Sequence, residues 1–109
     1  MTTPSTIISA QVITASGNEA IGHTVIGDSL SVIINVTAIS GTTPSATFSV
    51  QWSNDGTNFA DASPADAFAP ITGIGTIDQR FTSKGAFYRL SWQITGTTPS
   101  RTTTIQTSN

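Results

Sequence analysis

The chain has 109 residues, no cysteine and only ten formally charged side chains, for a net charge of −2. That length fits one domain, 1–109, with a core of its own, and the missing cysteine excludes disulfides, thiolate nucleophiles and zinc–thiolate sites. Four basic residues cannot form the phosphate-neutralising stripe of a nucleic-acid binder, and no apolar run reaches the roughly 18–20 residues of a membrane helix, so neither nucleic acid nor membrane is expected as a partner.

Serine and threonine supply 34 residues and stand in for charge on the polar surface. Threonine is β-branched and favours strands, where lysine and glutamate would suit exposed helix. Residues 1–6 lack a basic segment followed by a long apolar stretch, so no secretory signal is read there. They are read instead as a polar arm, either frayed or added as a strand to a neighbour's sheet edge, with Thr2, Thr3 and Pro4 as candidate contacts.

Strands are predicted over 6–14, 21–26, 29–39, 46–53, 76–82, 86–95 and 101–107, because apolar and polar residues alternate there with period two. In 46–53, Ala46, Phe48, Val50 and Trp52 share one face; in 86–95, Tyr88, Leu90, Trp92 and Ile94 do, and Phe87 interrupts the polar face. Leu30, Val32, Ile34, Val36 and Ala38 form the core face of 29–39, while Ile33 and Ile39 on its other face point to a central strand or a partner contact. No segment shows the i, i+3, i+4, i+7 spacing of an amphipathic helix.

Turns separate these runs. Ser53-Asn54-Asp55-Gly56-Thr57-Asn58 is a hairpin signal, Ser83-Lys84-Gly85 reads as a second hairpin, and residues 26–28 mark a corner. Residues 60–70, with Pro64 and Pro70, are read as a longer loop passing between sheets. The pentapeptide Gly-Thr-Thr-Pro-Ser occurs at 41–45 and again at 96–100. Glycine permits positive φ, proline fixes φ, and the residue before proline is pushed extended, so each copy reads as a five-residue connection between strands. The offset of 55 sets Phe48 against Thr103 and Trp52 against Thr107, so a duplicated architecture is not expected. The two connections are expected at one end of the fold, forming one polar surface. The fold class that follows is all-β: an antiparallel immunoglobulin-like β-sandwich of about seven strands, with a small closed barrel as the alternative.

Little in the chain resembles catalytic machinery. His23 is the single histidine, and no Gly-x-Ser-x-Gly motif or ordered base partner accompanies it. Asp55, Asp61 and Asp66 are close in sequence, but their spacing matches no calcium loop and the Asn-Asp-Gly run is explained by turn geometry. No cofactor or metal is expected, and the chain is not read as an enzyme. Asn35-Val36-Thr37 fits a glycosylation pattern but lies mid-strand. Trp52 and Trp92 are in phase with core faces, so they read as core rather than as sugar platforms; Phe59 and Phe87 are the better candidates for exposed aromatic contacts.

The stretches "VTAISGTTPSATFSVQWSNDGTNF" and "FYRLSWQITGTTPSRTTTI" resemble a group of small tailed-bacteriophage virion proteins. In that group a strand ends in a Gly-Thr-x-Pro-Ser turn, the next leads to a Ser-Asn-Asp-Gly-Thr-Asn hairpin, and a late Tyr-Arg strand enters a second such turn. The resemblance covers about residues 30–107, and Phe59 stands where the group often has tryptophan. It implies a non-enzymatic structural protein, made in the host cytoplasm and carried on the virion surface, that decorates or cements an assembled head. Its implied partners are the major capsid protein or another virion protein, and copies of itself in a homo-oligomer. The alternative role, suggested by Trp52 and Trp92 on a sandwich scaffold, is a tail- or fibre-associated adhesion module that binds carbohydrate. Beside the arm and the two phenylalanines, Thr42, Thr43, Pro44, Thr97, Thr98 and Pro99 are candidate contacts.

Overall fold

The computed structural model describes residues 5–19, 22–25 and 27–108. They form seven antiparallel strands: β1 (Ser5–Ile13), β2 (Gly17–Asn18), β3 (His23–Thr24), β4 (Ser29–Ser53), β5 (Ala60–Ala67), β6 (Gly75–Thr82) and β7 (Phe87–Ser108). Two of these are far longer than expected. The pentapeptides do not end strands; β4 and β7 run through them for 25 and 22 residues.

A straight 22-residue strand would span roughly 70 Å. The longest dimension of the molecule is 38 Å, so both strands must bend sharply. They do so at the pentapeptides, and the sheet folds back on itself into two facing layers. In one layer β1, residues 100–108 of β7, residues 29–40 of β4 and β6 lie side by side. In the other, β2 and β3, residues 87–95 of β7, residues 45–53 of β4 and β5 do so. The all-β antiparallel fold is as expected, and β4 is central, flanked by strands on both sides.

Inward side chains of the two layers meet in one core. Val32, Ile34, Phe48, Val50, Leu90 and Ile105 are fully buried, and Phe68 packs edge-on against Phe81 with ring centroids 5.5 Å apart. Burying a side chain of this kind contributes roughly 1.5–3 kcal/mol. Period two holds along β4 from Ser29 to Val36 and again from Ser45 to Trp52; the first run ends at Thr37, an extra residue between the pairs Val36↔Thr103 and Ala38↔Thr102. This bulge leaves Thr37 and Ala38 both exposed, which removes Ala38 from the expected core face.

The two halves of the chain are related by an approximate two-fold axis. The pairs Ser40↔Ser100 and Ser45↔Thr95 exchange under a shift of 55, and Thr42 pairs with Thr97, its own equivalent. β1 then corresponds to β5, and the buried series Ala46, Phe48, Val50, Trp52 to Arg101, Thr103, Ile105, Thr107. The architecture is therefore repeated, contrary to the expectation from the poor residue match.

Three further expectations are corrected. Residues 60–67 are a strand, because an edge position tolerates proline and weak strand formers. Residues 83–86 do not close a hairpin, since β6 pairs with β4 and not with β7. Of the expected arm, residues 1–4 lie outside the described residues, while Ser5 and Thr6 pair with Thr107 and Gln106 within this chain. The Asn54–Asn58 turn does join two paired strands, with Trp52 opposite Ala60.

Candidate functional site

The two pentapeptides cross where β4 and β7 bend. Gly41 and Gly96 have φ of 109° and 116°. A Cβ on Gly41 would lie 2.7 Å from the Thr98 carbonyl oxygen, and one on Gly96 would lie 2.9 Å from that of Thr42. Glycine is needed here both for its conformation and for the close approach of one backbone to the other. Thr43 and Thr98 also have positive φ, 47° and 46°, a strained region for a β-branched residue. Thr43 Oγ1 donates to the Thr42 carbonyl.

The result is one polar patch built from both copies. Thr42, Thr43, Thr97 and Thr98 are exposed, and Pro44 and Pro99 are half-buried beside them. Six of the sequence-derived contact residues thus come together. Thr2, Thr3 and Pro4 lie outside the described residues.

Phe59 and Phe87 lie elsewhere and are half-buried. The Arg89 guanidinium stacks 4.7 Å from the Phe59 ring centroid, and that ring also closes over Gly22. Phe87 packs over Gly56. Trp52 and Trp92 are buried in the core, with indole N–H groups donating to Asp66 at 2.8 Å and to the Ala15 carbonyl at 3.2 Å.

No family model, curated protein or solved structure matches the chain.

The three aspartates have separate surroundings. Asp55 accepts from the Thr57 and Asn58 backbone N–H groups and from the Asn58 side chain, which holds its carboxyl well below the ordinary range. Asp66 Oδ2 accepts from Trp52 and from the Lys84 ammonium, each at 2.8 Å. Asp61 sits on β5 opposite Gln51. No group of three metal-ligating side chains occurs among the described residues.

A second feature opens between the layers beside β1. A cleft of about 470 Å³ is lined by Ile8 and Gln11 on one side and by Asn18, Glu19, His23 and Trp92 on the other. Glu19 continues the ladder beyond β2: its N–H donates to the Leu90 carbonyl, and its Oε1 accepts from the Leu90 N–H at 2.8 Å. Its Oε2 lies 2.8 Å from His23 Nε2, and the His23 ring packs 5.1 Å from that of Tyr88. Gln11, Asn18 and Glu19 are not legible as cleft residues in the sequence, because nothing local distinguishes them from ordinary polar strand positions. The cleft can hold a small polar ligand through a carboxylate, an imidazole and two amides.

Proposed function

We propose that this is a non-enzymatic bacteriophage virion protein that decorates or cements the assembled head. One observation supports the reading above the others. The two pentapeptides through which the chain resembles phage virion proteins meet in a single exposed patch, at Thr42, Thr43, Thr97 and Thr98. Such a patch, repeated around a symmetric shell, binds firmly through many modest contacts. Its partner is the major capsid protein or another virion protein.

The test is mass spectrometry of purified virions together with rebinding to particles stripped of the protein. The reading expects a fixed, high copy number and loss of rebinding in a Thr42→Arg/Thr97→Arg variant that still folds. Virions that never contain the protein would refute it.

The cleft beside Trp92 favours a second reading, a tail- or fibre-associated module that binds carbohydrate. Glu19, Asn18 and Gln11 offer the acceptors and amides that sugar hydroxyls require. Glycan-array binding that is lost in Glu19→Gln supports it, and an array without any signal removes it.

A further inference from the structure

The outer edges of the two layers are not equivalent. An edge strand presents unpaired N–H and C=O groups, and proteins usually block it with bulges, proline, short strands or charged side chains. β1 is interrupted by two register shifts and by Ala10 at φ 45°. β5 has a register shift opposite Val50 and Gln51 and contains Pro64, which has no N–H. β2 and β3 are two residues each. β6 alone has no bulge, proline or shortening, only the charges of Asp78 and Arg80: it pairs with β4 without interruption from Ser29↔Thr82 to Val36↔Gly75. Its other side has no strand partner among the described residues.

The sequence along β6 is Thr76-Ile77-Asp78-Gln79-Arg80-Phe81-Thr82. About Gln79 it is self-complementary: acid against base, apolar against apolar, threonine against threonine. Asp78 and Arg80 are exposed, and neither forms an ion pair among the described residues. Arg80 Nε donates at 3.0 Å to Ser31 Oγ, directly opposite on β4, which lays the side chain on the outer face toward β4; pairing with a second copy requires the guanidinium to turn to the open edge.

We propose that β6 pairs antiparallel with β6 of a second copy, about a two-fold axis at Gln79. In this register Asp78 faces Arg80 of the second copy and Arg80 faces its Asp78. Ile77 meets Phe81 on the inner face, and Thr76 meets Thr82 on the outer. Sliding by two residues sets Asp78 against Asp78 or Arg80 against Arg80, which is unfavourable. Sliding by one sets the inner face of one strand against the outer face of the other. The pairing therefore selects its own register, and it joins two four-stranded layers into one continuous sheet across the dimer. An eight-residue edge is a small interface, so the dimer is weak in free solution. This contact does not depend on the virion reading.

The test is sedimentation equilibrium in low salt, with a concentration series from about 10 μM to about 1 mM. Wild type is expected to dimerise within the series, and Arg80→Asp to weaken dimerisation by roughly tenfold, since it creates two like-charge contacts. Asp78→Arg/Arg80→Asp is expected to restore it. Register is read separately by disulfide formation, because the chain has no cysteine of its own. Gln79→Cys should cross-link readily, and Thr76→Cys alone should not. A protein that stays monomeric throughout overturns the proposal. So does a dimer indifferent to Arg80→Asp, or Gln79→Cys cross-linking no faster than Thr76→Cys.

Discussion

Tyr88 and Thr107 lie 19 positions apart on a single strand, yet their side-chain oxygens share a 2.6 Å hydrogen bond inside the core. The bond ties the two layers together across the bend in β7. Tyr88→Phe removes one partner and leaves the Thr107 hydroxyl buried. The expected cost is roughly 1–2 kcal/mol, read as a lower midpoint in urea. A Tyr88→Phe/Thr107→Val pair should recover part of it.

The same tyrosine makes stability depend on alkaline pH. Burial pushes the Tyr88 hydroxyl above its ordinary value near 10; the bond to Thr107 opposes this, and the Glu19 carboxylate adds to it. The unfolded chain therefore releases the proton first. This contribution is fully present below the unfolded pKa and is lost as pH rises through the higher folded pKa. Melting temperatures above about pH 10 should fall more steeply for wild type than for Tyr88→Phe. Because Tyr88 is the single tyrosine, absorbance near the phenolate band gives its titration directly.

At the crossing, Gly41→Ala and Gly96→Ala should each cost more than about 2 kcal/mol, since an added Cβ meets backbone and φ is positive. Gly73→Ala has open space around it and should change stability by less than about 0.5 kcal/mol. Urea unfolding of the three variants side by side decides the matter.

Arg101 is buried, and its Nη1 donates to the Ile71 carbonyl at 3.1 Å. Its Nε and Nη2 have no partner among the described residues, and burial lowers its pKa. A buried cation without a carboxylate is costly. Arg101→Met should keep or raise stability, by up to about 1–4 kcal/mol, whereas Arg101→Ala should lower it by leaving a void. Denaturation midpoints of the two variants give the answer.

Asp55 organises the turn between β4 and β5, and its folded pKa is depressed. Its contribution is present above the ordinary carboxylate pKa and lost as pH falls through the lower folded value. Asp55→Ala should therefore melt below wild type at neutral pH. The gap should narrow through the acid range below about pH 4.

The strands were legible because period two survives wherever one face is buried, as with Phe48, Val50 and Trp52, or Tyr88, Leu90 and Trp92. Their continuity was not, because Gly41 and Pro44 read locally as a break. Only the opposite pentapeptide, 55 positions away, supplies the pairing that carries β4 through. The symmetry was obscured by Thr37. Beyond this bulge the equivalences shift by one, so that Val32, Ile34 and Val36 correspond to Tyr88, Leu90 and Trp92. A fixed offset therefore aligns only half of each repeat. The cleft was illegible for a different reason: Gln11 and Glu19 meet only when β1 and the segment after β2 belong to opposite layers.

The bent strands also decide how the molecule comes apart. Each layer takes its two inner strands from β4 and β7, and so does the other layer. Neither can melt while its counterpart stays intact, since freeing one end of β4 or β7 loosens the crossing that anchors the other. Loss of structure is then a single all-or-none event without a half-unfolded stage. Hydrogen exchange along residues 29–40 and 45–53 should accordingly report one common opening energy.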